Sequence, residues 1–270
     1  MNEDVGTGAT LGAFVICKDA EATIGPCLES LSAFDEIVVV DSGSKDRTFS
    51  IIEALVAQGL PIRLYEENWR GFAGQKQFAL NLCTADWCLN LDADEVLSPP
   101  LAAALPHLAS KPDVDGWVLQ RRDHLAGFGL AHRWSRPGRV LRLFRRRQTV
   151  YDPDRIVHEA PIVSGTVRRA PAGSGEILHF ADTQWGPHRD RALRNASLKA
   201  RMRHMEGRRA SVLRLIFYPL GRFVRIYVMR RFFLNGFAGV RYAAVGAVYA
   251  AASEYYLFRF QREGRPAPRA

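Results

Sequence analysis

Cysteine is scarce in this chain and poorly placed for a scaffold. The four cysteines, Cys17, Cys27, Cys83 and Cys88, all lie in the first ninety residues, and none is spaced as C-x-x-C. Cys17, Cys83 and Cys88 stand inside apolar runs, which reads as reduced core thiols in a cytosolic setting and excludes a zinc site or a disulfide framework. Long apolar runs are also missing. Tyr242 to Ser253 is only twelve residues between Arg241 and Glu254, whereas a membrane span needs about 20. The N-terminus lacks the basic-then-apolar order of an export signal, so no export is expected. Acidic residues run short in one part only. Residues 111–270 carry 31 Lys and Arg against 12 Asp and Glu, a net of +19, whereas residues 1–110 carry 6 against 16, a net of −10. Two parts so different in charge meet different partners, and the basic one suits an anionic surface or ligand. No nucleic-acid motif accompanies the arginines and the aromatics form no stacking platform, so no nucleic-acid partner is expected.

The apolar content of 47% with 24% charged residues is globular composition, and 270 residues hold one large domain with an appendage or two small ones. The acidic part has a clear rhythm. "LGAFVIC" is a short apolar run, followed by a helical stretch from Thr23 to Ser32. Ile37 to Val40 is β-branched or apolar throughout, as expected of a parallel strand buried on both faces. A helix over Thr48–Gln58, a strand "PIRLYEE", a helix over Ala73–Cys83 and a strand "DWCLNLDADEV" follow. Strands alternating with helices of this length predict an α/β domain around an open parallel sheet.

Ligands of such sheets bind beyond the carboxyl ends of the strands. Polar residues collect there: Lys18 and Asp19 after the first strand, Asp41 to Asp46 after the second, Glu66 to Arg70 after the third, Asp92 and Asp94 after the fourth. Carboxylates at i and i+2 of an extended segment point to opposite faces, so a turn at Ala93 is required if both are to serve one cation. Carboxylate oxygens suit a divalent ion shared with substrate phosphates.

Together, "FVICKDAEATIGPCLESL", "IVVVDSGSKDRT", "GFAGQKQFAL" and "WCLNLDADE" resemble the family 2 glycosyltransferases of the GT-A fold, and among them the bacterial lipopolysaccharide-core β-1,4-glucosyltransferases. The likeness is strongest over residues 11–100 and continues through "LRLFRRR", "IVHE" and "LHF". The resemblance implies that Asp41 holds the nucleoside, that Asp92 and Asp94 form the DxD pair for ribose and a divalent cation (magnesium or manganese), and that Lys18 and Asp19 lie where the uracil packs. Gln75 and Lys76 match a donor-side block, with Gln77 where that block commonly has Asn. Lys76 is then a contact to the diphosphate or a residue that positions the nucleoside.

Inverting transfer needs a base for the acceptor hydroxyl and positive charge near the leaving diphosphate. In the family the base is a carboxylate that follows the DxD strand. Glu159 in "DRIVHEAP" is the choice here, with Asp154 and Asp182 as alternatives and His158 beside it as an acceptor or phosphate contact. His179 is either a further metal ligand or a core histidine. Arg142, in an alternating strand pattern, is placed as an acceptor or phosphate contact, while Arg145 to Arg147 face solvent or an anionic acceptor.

The C-terminal region reads as basic amphipathic helices that lie in a lipid interface or form a homo-oligomer contact. Pro219 and Gly221 are expected to break or kink them, and Asn235–Gly236 to turn the chain. The expected layout is a catalytic GT-A domain over 1–185 (nucleotide part 10–100, acceptor part 111–185), amphipathic helices over 186–262, and a disordered tail over 263–270. The function expected is transfer of a hexose, glucose, from UDP-glucose to a lipopolysaccharide-core or other glycolipid. The enzyme would be peripheral on the inner face of the bacterial cytoplasmic membrane, where sugar nucleotides are made. A noncatalytic membrane-bound scaffold and a nucleotidyltransferase are the alternatives; the latter's Gly-rich phosphate loop is absent after the first strand.

Overall fold

Residues 13–16, 37–40 and 88–91 pack alternate side chains into two separate apolar clusters. Ala13, Val15, Ile37, Val39, Leu89 and Leu91 join one; Phe14, Ile16, Val38, Val40 and Cys88 join the other. Successive strand residues point to opposite faces, so both faces of this sheet are covered and the runs are apolar on both sides except at the buried Asn90.

The computed structural model describes residues 9–152, 160–180 and 185–263. It begins β1 (Leu11–Cys17), α1 (Ile24–Glu29), β2 (Glu36–Asp41), α2 (Thr48–Ala57), β3 (Ile62–Glu66), α3 (Gly71–Leu82) and β4 (Trp87–Asp92). There follow β5 (Glu95–Leu97), α4 (Pro99–Ala109), β6 (Gly116–Leu125), β7 (Gly129–Leu130), β8 (Gly138–Arg145), β9 (Thr149–Val150), β10 (Ile162–Val163), β11 (Val167–Arg169) and β12 (Ile177–His179). The main sheet runs in the order β3-β2-β1-β4-β8-β6-β12-β5, with β7 and β11 also pairing with β6. Strands β1 to β4 pair in parallel, whereas β8 is antiparallel to both β4 and β6. The expected elements of the first hundred residues are all present, and the turn required at Ala93 separates β4 from β5.

Three helices complete the chain: α5 (Trp185–Met205), α6 (Val212–Val224) and α7 (Gly236–Glu263). The chain divides into two compact units, Met1–Arg122 with Gly138–Phe180, and Asp123–Pro137 with Ala181–Ala270. This differs from the expected division at 185, because Asp123–Pro137 belongs with the helices. Leu125 and Ala131 share a buried apolar cluster with Ile226, Phe232, Ala238 and Ala243, and hydrogen bonds add to it: the His132 amide donates to Asn235 Oδ1 at 2.6 Å, and the Tyr242 hydroxyl lies 3.1 Å from Asp123.

Within the helical unit, α5 and α6 both pack on α7. The buried carboxylate of Glu254 on α7 joins all three, pairing with Arg203 at 2.5 Å and accepting from the Ser211 amide at 2.8 Å. Helix α6 runs through Pro219 and Gly221 without a break. Of the expected break or kink, the break is absent: Ser211 caps the start of α6, its turns are continuous on both sides of Pro219, and a π-helical turn, Arg225–Met229, follows from its end. The reversal comes later, where Arg231 and Gly236 both take positive φ. There Gly239 approaches the Phe232 carbonyl so closely that a Cβ would collide with it.

Candidate active site

The loops after β1 and β2 are stitched together by their own polar groups. The Asp19 amide donates to Ser44 Oγ at 2.8 Å, and Asp19 Oδ1 accepts from the Lys45 amide at 2.7 Å. The Ala20 amide reaches Thr48 Oγ1 at 2.7 Å. Asp41, buried at the end of β2, accepts from the Gly43 and Ser44 amides at 2.9 and 2.8 Å and from the Ser44 hydroxyl. Asp41 therefore shapes the loop from within, and Gly43, at φ +81°, supplies the left-handed step this needs. Lys18 stays exposed at the rim.

Helix α3 presents three consecutive polar side chains to three neighbours. Gln75, fully buried, donates to Ser42 Oγ at 3.1 Å and to the Glu67 carbonyl at 3.3 Å. Gln77 accepts from the Tyr151 amide at 2.7 Å. Lys76 is also buried, with its ammonium 3.0 Å from Asp92 Oδ1.

Asp92 meets a second cation in Arg142, whose Nη1 lies 3.3 Å from Oδ1 and whose Nη2 binds Oδ2. Burial pushes the Asp92 carboxyl up, but Arg142 and Lys76 outweigh it and hold the group well below the usual carboxylate range. In return, Asp92 and Glu95 raise the Arg142 guanidinium against the opposite pull of its burial. Arg142 is buried and also donates to Glu95 at 2.9 and 3.0 Å and to Asn90 Oδ1 at 2.7 Å. Arg142, expected as an acceptor or phosphate contact, thus spends its guanidinium on Asp92, Glu95 and Asn90. The alternation that points Arg142 inward brings it to the carboxylates of Asp92 and the buried Glu95. Arg145 likewise turns from solvent, stacking 4.9 Å from the Trp87 ring centroid and pairing with Asp115 at 3.3 Å.

Glu95 was not anticipated as a site residue. It is fully buried, accepts from Arg121 at 3.3 Å and from the Asp92 amide at 3.1 Å, and so ties the DxD turn to β6 and β8. Asn90 and Tyr151 complete the layer, with the Tyr151 hydroxyl 3.1 Å from Asn90 Oδ1. A polar Asn inside "WCLNLD" is a signal for the first; Tyr151 carries none.

Asp94 is the second residue of the turn between β4 and β5. Antiparallel pairing of β12 with β5 sets His179 opposite Glu95, the Phe180 amide donates to the Asp94 carbonyl at 2.8 Å, and His179 Nε2 comes 3.7 Å from Asp94 Oδ2. An imidazole and a carboxylate so placed fit a divalent cation as two of its donors. Asp92 fits less well, since both its oxygens are engaged by cations. Among the described residues no three His, Cys, Asp or Glu side chains gather as a metal cluster. Glu159, His158, Asp154 and Asp182 lie outside the described residues.

Residues 13–170 match the family described as Glycosyl transferase family 2. A lipopolysaccharide core biosynthesis glycosyltransferase, LpsC of Rhizobium meliloti (strain 1021), is 41% identical over 241 residues, covering 89% of this chain and 88% of the relative. Among solved structures, S. aureus TarS 1–349 superposes with a TM-score of 0.51 at 14% identity, over 95% of this chain and 92% of that one. The mannosyltransferase PcManGT of Pyrobaculum calidifontis, solved in complex with GDP-Man and Mn2+, gives 0.51 at 17% identity, over 96% and 76%. At such identities the solved structures speak for a shared GT-A fold.

Proposed function

Because this chain belongs to glycosyl transferase family 2, we propose that it is an inverting, metal-dependent hexosyltransferase carrying glucose from UDP-glucose to a lipopolysaccharide-core glycolipid. Family membership leaves the nucleotidyltransferase alternative without support. The observation that carries the reading is the turn after β4, which sets a carboxylate clamped by Lys76 and Arg142 next to one that faces His179. The acceptor class draws on the relative named for lipopolysaccharide core biosynthesis.

Asp92, kept ionised and fixed by its two cations, is the acceptor for a ribose hydroxyl of the donor. Gln75 and Asp41 hold the loops that line the nucleoside, with Lys18 and Asp19 at the uracil. A divalent cation, magnesium or manganese, would be held by Asp94 and His179 and would offset the charge that builds on the departing diphosphate. Glu159 is the proposed base. The acceptor oxygen bonds to the anomeric carbon, its proton passes to the Glu159 carboxylate, and the bond to the diphosphate oxygen breaks with its electron pair leaving on UDP. One displacement inverts the anomeric centre. The enzyme works at the cytoplasmic face of the membrane, as a peripheral protein.

The test is a panel of UDP- and GDP-sugars, first for binding and then for transfer to extracted core glycolipid. Glu159→Gln should bind the donor as the parent does and slow transfer by about 10²-fold or more. A near-normal rate would give the base role to another carboxylate.

A further inference from the structure

Helix α6 turns an apolar side outward. Val212, Leu213, Ile216, Phe217, Leu220 and Val224 are between 42% and 68% exposed. At 3.6 residues per turn they span an arc of about 140°, wider than the stripe of about 100° with which a helix covers a core. The core contact of α6 is already made on its other side, where it packs on α7 and Arg222 stacks 5.0 Å from the Tyr249 ring centroid. The outward side continues through the π-helical turn with exposed Val228 and Met229, and Phe237 at the start of α7 is 71% exposed.

We infer that this side of α6 is the docking surface of the protein on an anionic lipid bilayer. Charge selects the occupant. Residues 207–253 contain eight arginines and no acidic residue, and Arg225 and Arg231, just beyond α6, are exposed. A second copy of the chain seated on the same patch by two-fold symmetry would bring like charges together. An anionic headgroup layer supplies the missing sign, and the acyl boundary beneath it takes the apolar arc to a depth of about 5–10 Å. Among the described residues no helix is long and apolar enough to cross a membrane, so α6 would lie in the interface with its axis along the surface. The inference deepens the glycolipid reading and rests on it for its purpose. It brings the enzyme to the surface that holds the acceptor.

Vesicle flotation of the full chain tests it and needs neither donor nor acceptor, so it can fail while transfer persists, and the reverse. The chain should float with phosphatidylcholine vesicles containing phosphatidylglycerol, and at least about tenfold less with phosphatidylcholine alone. Ile216→Glu with Phe217→Glu should lose flotation while keeping the parent's melting temperature and donor binding, since both side chains are exposed. Arg225→Glu with Arg231→Glu should reduce the preference for anionic vesicles. Flotation unchanged by the apolar pair, an unchanged lipid preference in the arginine pair, or no flotation of the parent would overturn the inference. So would light scattering that shows a dimer split by the apolar pair in a chain that binds no vesicles.

Discussion

The ammonium of Lys76 on α3 lies 3.0 Å from the Asp92 carboxylate at the end of β4. Both belong to the blocks that carry the donor-side resemblance, and Lys76 is buried rather than solvated. Its charge therefore acts on Asp92 at close range and under weak screening. With Arg142 on the other side, Asp92 cannot swing from its place at the rim.

Removing the ammonium should loosen Asp92 without dismantling the fold. Lys76→Met keeps the length of the side chain, and its expected effect is a donor dissociation constant raised about tenfold, or about 1.4 kcal/mol, read by titration calorimetry. Unaltered donor affinity would reduce Lys76 to a structural role.

Glu95 and Arg142 form a buried pair at 2.9 Å. Breaking such a pair from one side leaves an uncompensated charge and costs about 3–5 kcal/mol. Arg142→Met should show this loss in urea unfolding. The double variant Glu95→Gln/Arg142→Met should cost less than the sum of its singles, because neighbours in one network couple. Additive singles would mean that the pair carries no joint energy.

Acid should weaken the fold through two carboxylates. Glu36 is pushed up by its burial but pulled down further by the amides of Ala85 and Thr84, the Thr84 hydroxyl and Arg63. Asp92 is depressed by Arg142 and Lys76 against its own burial. Each titrates lower in the folded chain than in the unfolded one, so the stability they add is full above their ordinary values of 4.5 and 3.8. It drains away as pH falls below those values toward the folded ones. Urea midpoints measured between about pH 7 and pH 3 should fall only at the acid end, and Asp92→Asn should flatten that fall.

The parallel half of the sheet was open to sequence reasoning because strands buried on both faces leave uninterrupted apolar runs, as at Ile37–Val40. The turn at Ala93 followed from the opposite facing of residues two apart. The role of Glu95 did not follow, although it adjoins Asp94, because its partners Arg121 and Arg142 are remote in sequence and meet it only through the pairing of β6, β8 and β4. His179 beside Asp94 depends in the same way on β12 lying against β5. Nothing in the composition of Asp123–Pro137 marks it as part of the helical unit; the burial of Leu125 and Ala131 against Ile226 and Phe232 holds it there, with Asn235 and Tyr242. Pro219 reads as a break by local rules and is overridden by the flanking helical turns and the packing of α6 on α7.

Release of UDP from UDP-glucose in the presence of core glycolipid and manganese, compared between the parent and Asp94→Ala, tests the central claim most directly. The parent should release UDP steadily and only with the cation, and the variant at least about 10²-fold more slowly, with Asp94→Ala still melting as the parent does. Equal rates from the two proteins would contradict the claim.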